Sequence, residues 1–274
     1  MRVLYLAEIV GKSGISAVKE FLPSLKLQYE PDYIIVNANS ASGAGGLSRQ
    51  NAGYLRKLGA DCITLGDNAF LNTQIFSEKL LAYCLRPVNL SKKAPGLAYK
   101  IFRSANFKNT AKNEKHQQNK KQNKSISLVV VSLLGQYGRH RISANDPLDA
   151  IDNILRHFGE VPIVVDFASF STAEKQLLAY YVDGRVSAVI GSGMKVASAD
   201  EKILTNGTAY ITDAGRTGAF FSTGGYAPES KIREFKTGLT EYSAVAWEGV
   251  ELQGVFINLD ENNKATSIER IRIK

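Results

Sequence analysis

Histidine, cysteine and long apolar runs are scarce in this chain. Its 274 residues include three histidines and two cysteines, Cys62 and Cys84. Two thiols are too few for a disulfide scaffold or a cysteine-rich zinc site. The imidazoles are poorly placed for a metal centre. His116 sits in a lysine-rich stretch, His140 in the triplet Arg139-His140-Arg141, and His157 at the end of a predicted helix. No run approaches the roughly 18 apolar residues needed to span a bilayer. The apolar residues after Met1 are interrupted at Glu8, too early for a signal-peptide core. These absences point to a reducing, cytoplasmic setting and no membrane partner. A hydrophobic content of 44% excludes a wholly disordered chain, and the length suffices to bury a sizeable core.

Positive charge is unevenly spread. The net charge is +8, and Ala105 to Ser125 holds six lysines against one glutamate, with five asparagines and three glutamines. So polar a segment cannot bury enough surface to offset the entropy of ordering, and it reads as a mobile Lys/Asn/Gln-rich surface insert at 105–125. Two readings stay open for it: a solvated loop expansion, or a tether for RNA or another polyanion.

Elsewhere short apolar runs alternate with helical spacing. Val3 to Ala7, Tyr33 to Val36, Cys62 to Leu65, Ser127 to Leu134, Pro162 to Val165, Val186 to Ile190 and Thr208 to Thr212 are nearly continuous, as strands buried on both faces must be. Ser16 to Tyr29, Ser48 to Leu58, Pro147 to Phe158 and Thr172 to Val182 predict helices, the first complicated by Pro23. After Gly238 the pattern becomes strand and turn, over Tyr242 to Trp247, Leu252 to Leu259 and Thr266 to Ile273. The expectation is one α/β domain over 1–274, with two sheets and an antiparallel close.

In such a fold, chemistry gathers in the loops beyond strand ends. Those loops begin at Glu8, Asn37, Gly66, Asp166, Gly191 and Asp213. Two apparent motifs are discarded. Gly11-Lys12-Ser13 resembles a P-loop, but the frame would place its first glycine at Leu6, inside a strand. Ser42 to Gly46 is glycine-rich without a G-x-G-x-x-G frame, so a flexible turn accounts for it better.

Several stretches in order carry a family resemblance: Leu6-Ala7-Glu8-Ile9-Val10-Gly11, the Asn37 loop, Ile63 to Asn68, Leu85-Arg86-Pro87-Val88-Asn89, Val182 to Val189, Gly207 to Asp213, and Ala265 to Ile271. The chain resembles the YmdB-like bacterial metallophosphoesterases, which are similar to 2′,3′-cyclic-nucleotide phosphodiesterases. The resemblance implies a sandwich of two mixed β-sheets flanked by helices, with the lysine-rich insert in a hairpin the family keeps short. It also implies two metal ions held by carboxylate, amide and imidazole ligands, with a histidine acid beside them. Carried over by position, the first-loop Asp becomes Glu8, and the Glu and Asn of the second loop become Asn39 and Ser40. The third-loop Asn and His become Asp67 and Asn68. The remaining histidines become Ala168, Gly193 and Lys195. No position keeps the family's residue.

The expected pocket therefore comprises Glu8, Asn39, Ser40, Asp67, Asn68, Ala168, Gly193, Lys195 and Arg216, without metal or other cofactor. Lys195 and Arg216 are expected to pair with Glu8 and Asp67, because buried carboxylates without metal need cations. Asp166 and Asp213 are further candidate acids, and Phe70, Met194, Phe220 and Phe221 are candidate fillers. The leading functional expectation is a catalytically inactive homologue with a binding or regulatory role. It would take a phosphate or nucleotide, and homo-oligomers are compatible with it. One alternative is an active phosphodiesterase using Mg²⁺ or Mn²⁺ on Glu8, Asn39 and Asp67. Another is an RNA-associated protein acting through the basic insert.

Overall fold

The computed structural model describes residues 1–76, 82–103, 126–138, 142–241 and 243–274. The 105–125 insert with His116, the triplet containing His140, and Tyr242 fall outside the described residues. In the first half the elements are β1 (Arg2–Leu6), β2 (Glu8–Ile9), α1 (Gly11–Tyr29), β3 (Tyr33–Asn37), α2 (Arg49–Leu58), β4 (Cys62–Thr64), β5 (Cys84–Leu85), β6 (Tyr99–Arg103) and β7 (Ile126–Leu134). Then come α3 (Pro147–Phe158), β8 (Ile163–Ala168), α4 (Thr172–Tyr181), β9 (Ala188–Ser192), β10 (Lys202–Ile203), β11 (Ala209–Ile211), β12 (Arg216–Ala219), α5 (Pro228–Thr237), β13 (Val250–Leu259) and β14 (Ala265–Ile273).

The strands form two mixed sheets. One runs β2-β12-β13-β1-β3-β4-β5, with β14 added on β13; the other runs β10-β11-β9-β8-β7-β6. Strand alternation builds the layers. Val3 and Tyr5 of β1 pack with Leu128 and Val130 of β7 between the sheets. Leu4 and Leu6 turn outward against Ala17, Val18 and Leu22 of α1 and Leu55 of α2. Val129, Val131 and Leu133 face Ile151 and Ile154 of α3 and Leu178 of α4. Both faces of the central strands are covered, which is why their sequences are continuous rather than alternating. No described helix is long and apolar enough to cross a membrane.

Three expectations change. α1 begins at Gly11, not Ser16, and continues through the exposed Pro23. Its first turn packs so closely on β12 that a Cβ at Gly14 would stand 2.4 Å from the Thr217 carbonyl oxygen. Gly14, directly after the apparent P-loop triplet, thus serves helix–strand packing. Residues 243–247 form no strand, only an isolated bridge between Val245 and Tyr226. The segment before it instead contains α5, which the sequence reading missed.

Candidate functional site

The parallel strands of both sheets deliver their following loops to one edge, where a cavity of about 480 Å³ opens. β1 and β2 supply Glu8, the loop after β3 supplies Asn39 and Ser40, and the loop after β4 supplies Asp67 and Asn68. From the second sheet come Ala168, at the end of β8, and Gly193 and Lys195, after β9. All eight line the cavity.

Arg216 does not, and that expectation is corrected. Its guanidinium donates to the carbonyls of Lys195, Ala219 and Phe220 and stands 3.9 Å from Glu251. β12 pairs with β2 and β13 at this point, which commits Arg216 to tying the backbone together. Nor do Phe70, Met194, Phe220 and Phe221 fill the cavity; none is among its lining residues.

The floor is a connected polar network. Glu8 is 1% exposed. Its Oε1 accepts the Ser40 hydroxyl at 2.5 Å and lies 3.4 Å from the Lys195 ammonium. Lys195 Nζ also donates to Ser40 Oγ at 3.2 Å. Burial by itself would lower the Lys195 pKa, but the charges of Glu8, Tyr226 and Asp67 hold it above its ordinary value. Lys195 thus stands as a fixed cation against Glu8, as expected, whereas Asp67 takes a different partner. Asn39 Nδ2 donates to Asp67 Oδ1 at 2.9 Å, while Asn39 Oδ1 accepts the amides of Gly66 and Asn68. Among the described residues no ion pair reaches Asp67.

The two other candidate acids sit beneath the floor. Asp166 is 2% exposed and accepts from Asn37, Ser192 and, by a short bond, Thr64. Burial raises its pKa despite those donors. Asp213 pairs with Lys175 at 2.7 Å and accepts the Met194 and Gly215 amides. It thereby fixes the turn that carries Lys195, whose backbone has a φ of 63°.

The sequence reading missed the opposite wall. Tyr226, Lys231 and Glu234, from the turn before α5 and from α5 itself, line the cavity with Thr240, Glu241 and Ser243. Lys195 and Lys231 lie on the Tyr226 ring at 5.4 and 5.5 Å from its centroid. Pro228 at the helix start and Gly238 at its end are the signals that could have revealed α5. Among the described residues no group of three or more His, Cys, Asp or Glu side chains is arranged to hold a metal ion.

Similarity to known proteins agrees with this architecture. The chain is 34% identical over 277 residues to a 2′,3′-cyclic-nucleotide 2′-phosphodiesterase of Bacillus subtilis, covering all of this chain and 97% of that protein. The crystal structure of a Mycoplasma pneumoniae protein described as a novel phosphatase superposes with a TM-score of 0.85 at 29% identity, covering all of this chain and 93% of that one. That of a Thermus thermophilus protein described as hypothetical superposes with a TM-score of 0.84 at 27% identity, covering all of this chain and 99% of that one. The model of the YmdB-like protein family matches residues 4–271, nearly end to end, and the chain belongs to that family.

Proposed function

We propose that this chain is a member of its phosphoesterase family that has lost the dinuclear metal site, and that the cleft serves binding or regulation. The carrying observation is the Lys195 ammonium 3.4 Å from the buried Glu8 carboxylate. It puts a fixed positive charge where the family resemblance puts an imidazole ligand. A divalent ion beside that ammonium would face about 4 kcal/mol of repulsion per unit charge at 4 Å and an effective dielectric of 20.

The remaining donors support the same reading. Ala168 and Gly193 offer no side-chain donor. Gly193 has a φ of 103°, where a ligating L side chain would be strained. The Asn39 carbonyl oxygen is occupied by two amide N–H groups. These residues do not fit two divalent ions.

The ligand class follows from the charges. Glu8, Asp67, Glu234 and Glu241 line the cavity against Lys195 and Lys231, and Lys231 is paired with Glu234 at 2.8 Å. Such a lining is net acidic, so it disfavours a dianion more than a singly charged phosphodiester, for which Lys195 is the available cation. The Bacillus subtilis relative is named for 2′,3′-cyclic nucleotides, which are of that class.

The name of that relative also favours a second reading, an active phosphodiesterase with one Mg²⁺ or Mn²⁺ on Glu8, Asn39 and Asp67. Metal analysis of the purified chain, with calorimetry and product assay using 2′,3′-cyclic AMP with and without Mn²⁺, separates the two. The proposal expects no retained metal, no product, and chelator-insensitive binding weakened at least ~10-fold in Lys195→Met, about 1.4 kcal/mol. Two tightly held ions, or hydrolysis that disappears in Asp67→Ala, would overturn it.

A further inference from the structure

A second cavity, of about 530 Å³, lies between the segment after β5 and helix α3. It is lined by Arg86, Asn89, Lys92, Tyr99, His157 and Phe158, among others. Arg86 belongs to the Leu85-Arg86-Pro87-Val88-Asn89 stretch, for which the cleft provides no role. Its side chain is unusual in physical terms. The residue is 6% exposed. Its Nη1 donates to the Pro87 carbonyl oxygen at 2.9 Å, and among the described residues its buried Nε has no hydrogen-bond partner. Among the described residues no carboxylate lies within ion-pair distance of it.

A buried guanidinium normally pairs, because an uncompensated charge and an orphaned donor are both costly. The two carboxylates that line the same cavity are otherwise placed. Asp146, which also lines the cavity, accepts the Leu148 and Asp149 amides as the cap of α3. Asp149 lines the cavity but makes no ion pair with Arg86. Burial holds the guanidinium below its ordinary pKa, as an unpaired cation requires. Beside it stand an apolar wall, where Tyr99 meets Phe158 edge-on at 5.1 Å between centroids, and the cationic side chain of Lys92.

We infer that this cavity is a second ligand site, for a small molecule carrying a phosphate or carboxylate, with Arg86 as its anion-binding side chain. The oxyanion takes the free donors of Arg86, and the organic part lies on the Tyr99–Phe158 wall. The site communicates with the main cleft through one residue. Asn89 lines this cavity and holds Leu134 from both sides, accepting its amide at 3.0 Å and donating to its carbonyl at 2.6 Å. Leu134 lines the cleft. An occupant beside Asn89 therefore lies one residue from the cleft wall.

The test is the Arg86 Nε–H resonance of the ¹⁵N-labelled full-length chain, titrated separately with AMP and with succinate. Movement of that resonance with saturation at or below about 10 mM supports the site. The AMP arm identifies a phosphate ligand and the succinate arm a carboxylate. Arg86→Met, checked for folding by circular dichroism, should abolish the thermal stabilisation given by the active probe. Ala150→Leu narrows the cavity without touching Arg86 and should weaken binding at least ~10-fold, about 1.4 kcal/mol. Lys195→Met should leave it unchanged. An Arg86 resonance unmoved by both probes, or a shift that survives Ala150→Leu and vanishes in Lys195→Met, would overturn the inference.

Discussion

The Lys175 ammonium lies 2.7 Å from Asp213 Oδ2, and the two side chains are 0% and 2% exposed. This pair sits directly under the turn that carries Lys195, because the same Asp213 oxygen accepts the Met194 amide. One buried carboxylate thus joins α4, the end of β11 and the turn that brings a cation into the cleft.

Breaking that pair from one side is expected to be severe. Lys175→Met leaves Asp213 buried with two amide donors and no cation, and should destabilise the chain by about 3–5 kcal/mol. Lys175→Met combined with Asp213→Leu removes both charges and should lose less than the single lysine variant, despite the two lost amide bonds. Urea denaturation of Lys175→Met, Asp213→Leu alone and the double variant forms the cycle. Equal losses in Lys175→Met and the double variant would show that the ion pair itself is not what matters.

The turn is anchored a second time at Asp200, and there acidity becomes the probe. Asp200 accepts the Thr212 amide at 3.0 Å, the Thr212 hydroxyl at 2.5 Å and the Ser198 hydroxyl at 2.6 Å. Burial would raise its pKa, but these donors hold it below the ordinary carboxylate value. A carboxyl whose native pKa is depressed adds stability above its unfolded pKa, about 3.9, and loses it as pH falls through the native value. Asp200→Asn should therefore lower stability by about 1–2 kcal/mol at neutral pH. The gap should stay constant down to the ordinary carboxylate range and close below it. Thermal melts of both proteins across acidic pH read this out, and a gap that widened on acidification would reverse the sign argued here.

How much of this was legible in the sequence depends on what each residue had to do. β7 and β8 were readable because strands buried on both faces must be runs of Val, Ile and Leu. The starts of α2 and α3 were readable because Ser48 and Asp146 accept amides of the first turn. β12, Arg-Thr-Gly-Ala, has no apolar run; neighbouring β2 and β13 define it. Helix α5 buries only Ser230, so it lacks the apolar stripe that announces a helix, and the cleft wall it carries stayed hidden. Lys175 was hidden for the opposite reason. Nothing in a sequence distinguishes a lysine that reaches a buried aspartate from one that reaches water. Strand order and loop position therefore brought eight of the nine anticipated residues to the cleft, while the partner of Arg216 depended on contacts that only packing decides.

Asn89 gives the sharpest structural prediction, since each polar atom of its amide group is committed. Oδ1 accepts the Leu134 amide, and Nδ2 donates to the carbonyls of Leu134 and Asn145. Asn89 is 2% exposed, and Asn89→Ala strands the buried amide and carbonyl of Leu134 and releases the more exposed Asn145 carbonyl, which should cost about 2–3 kcal/mol. Asn89→Asp nearly preserves the shape yet sets a carboxylate oxygen against two carbonyl oxygens, so the loss should exceed that of the alanine variant near neutral pH. Acidification protonates the introduced carboxyl and returns one donor, so the aspartate variant should recover part of its stability as pH falls through that group's raised pKa. Urea unfolding of both variants at neutral and mildly acidic pH measures the difference. An aspartate variant as stable as wild type at neutral pH would mean that Leu134 is held by something other than this amide.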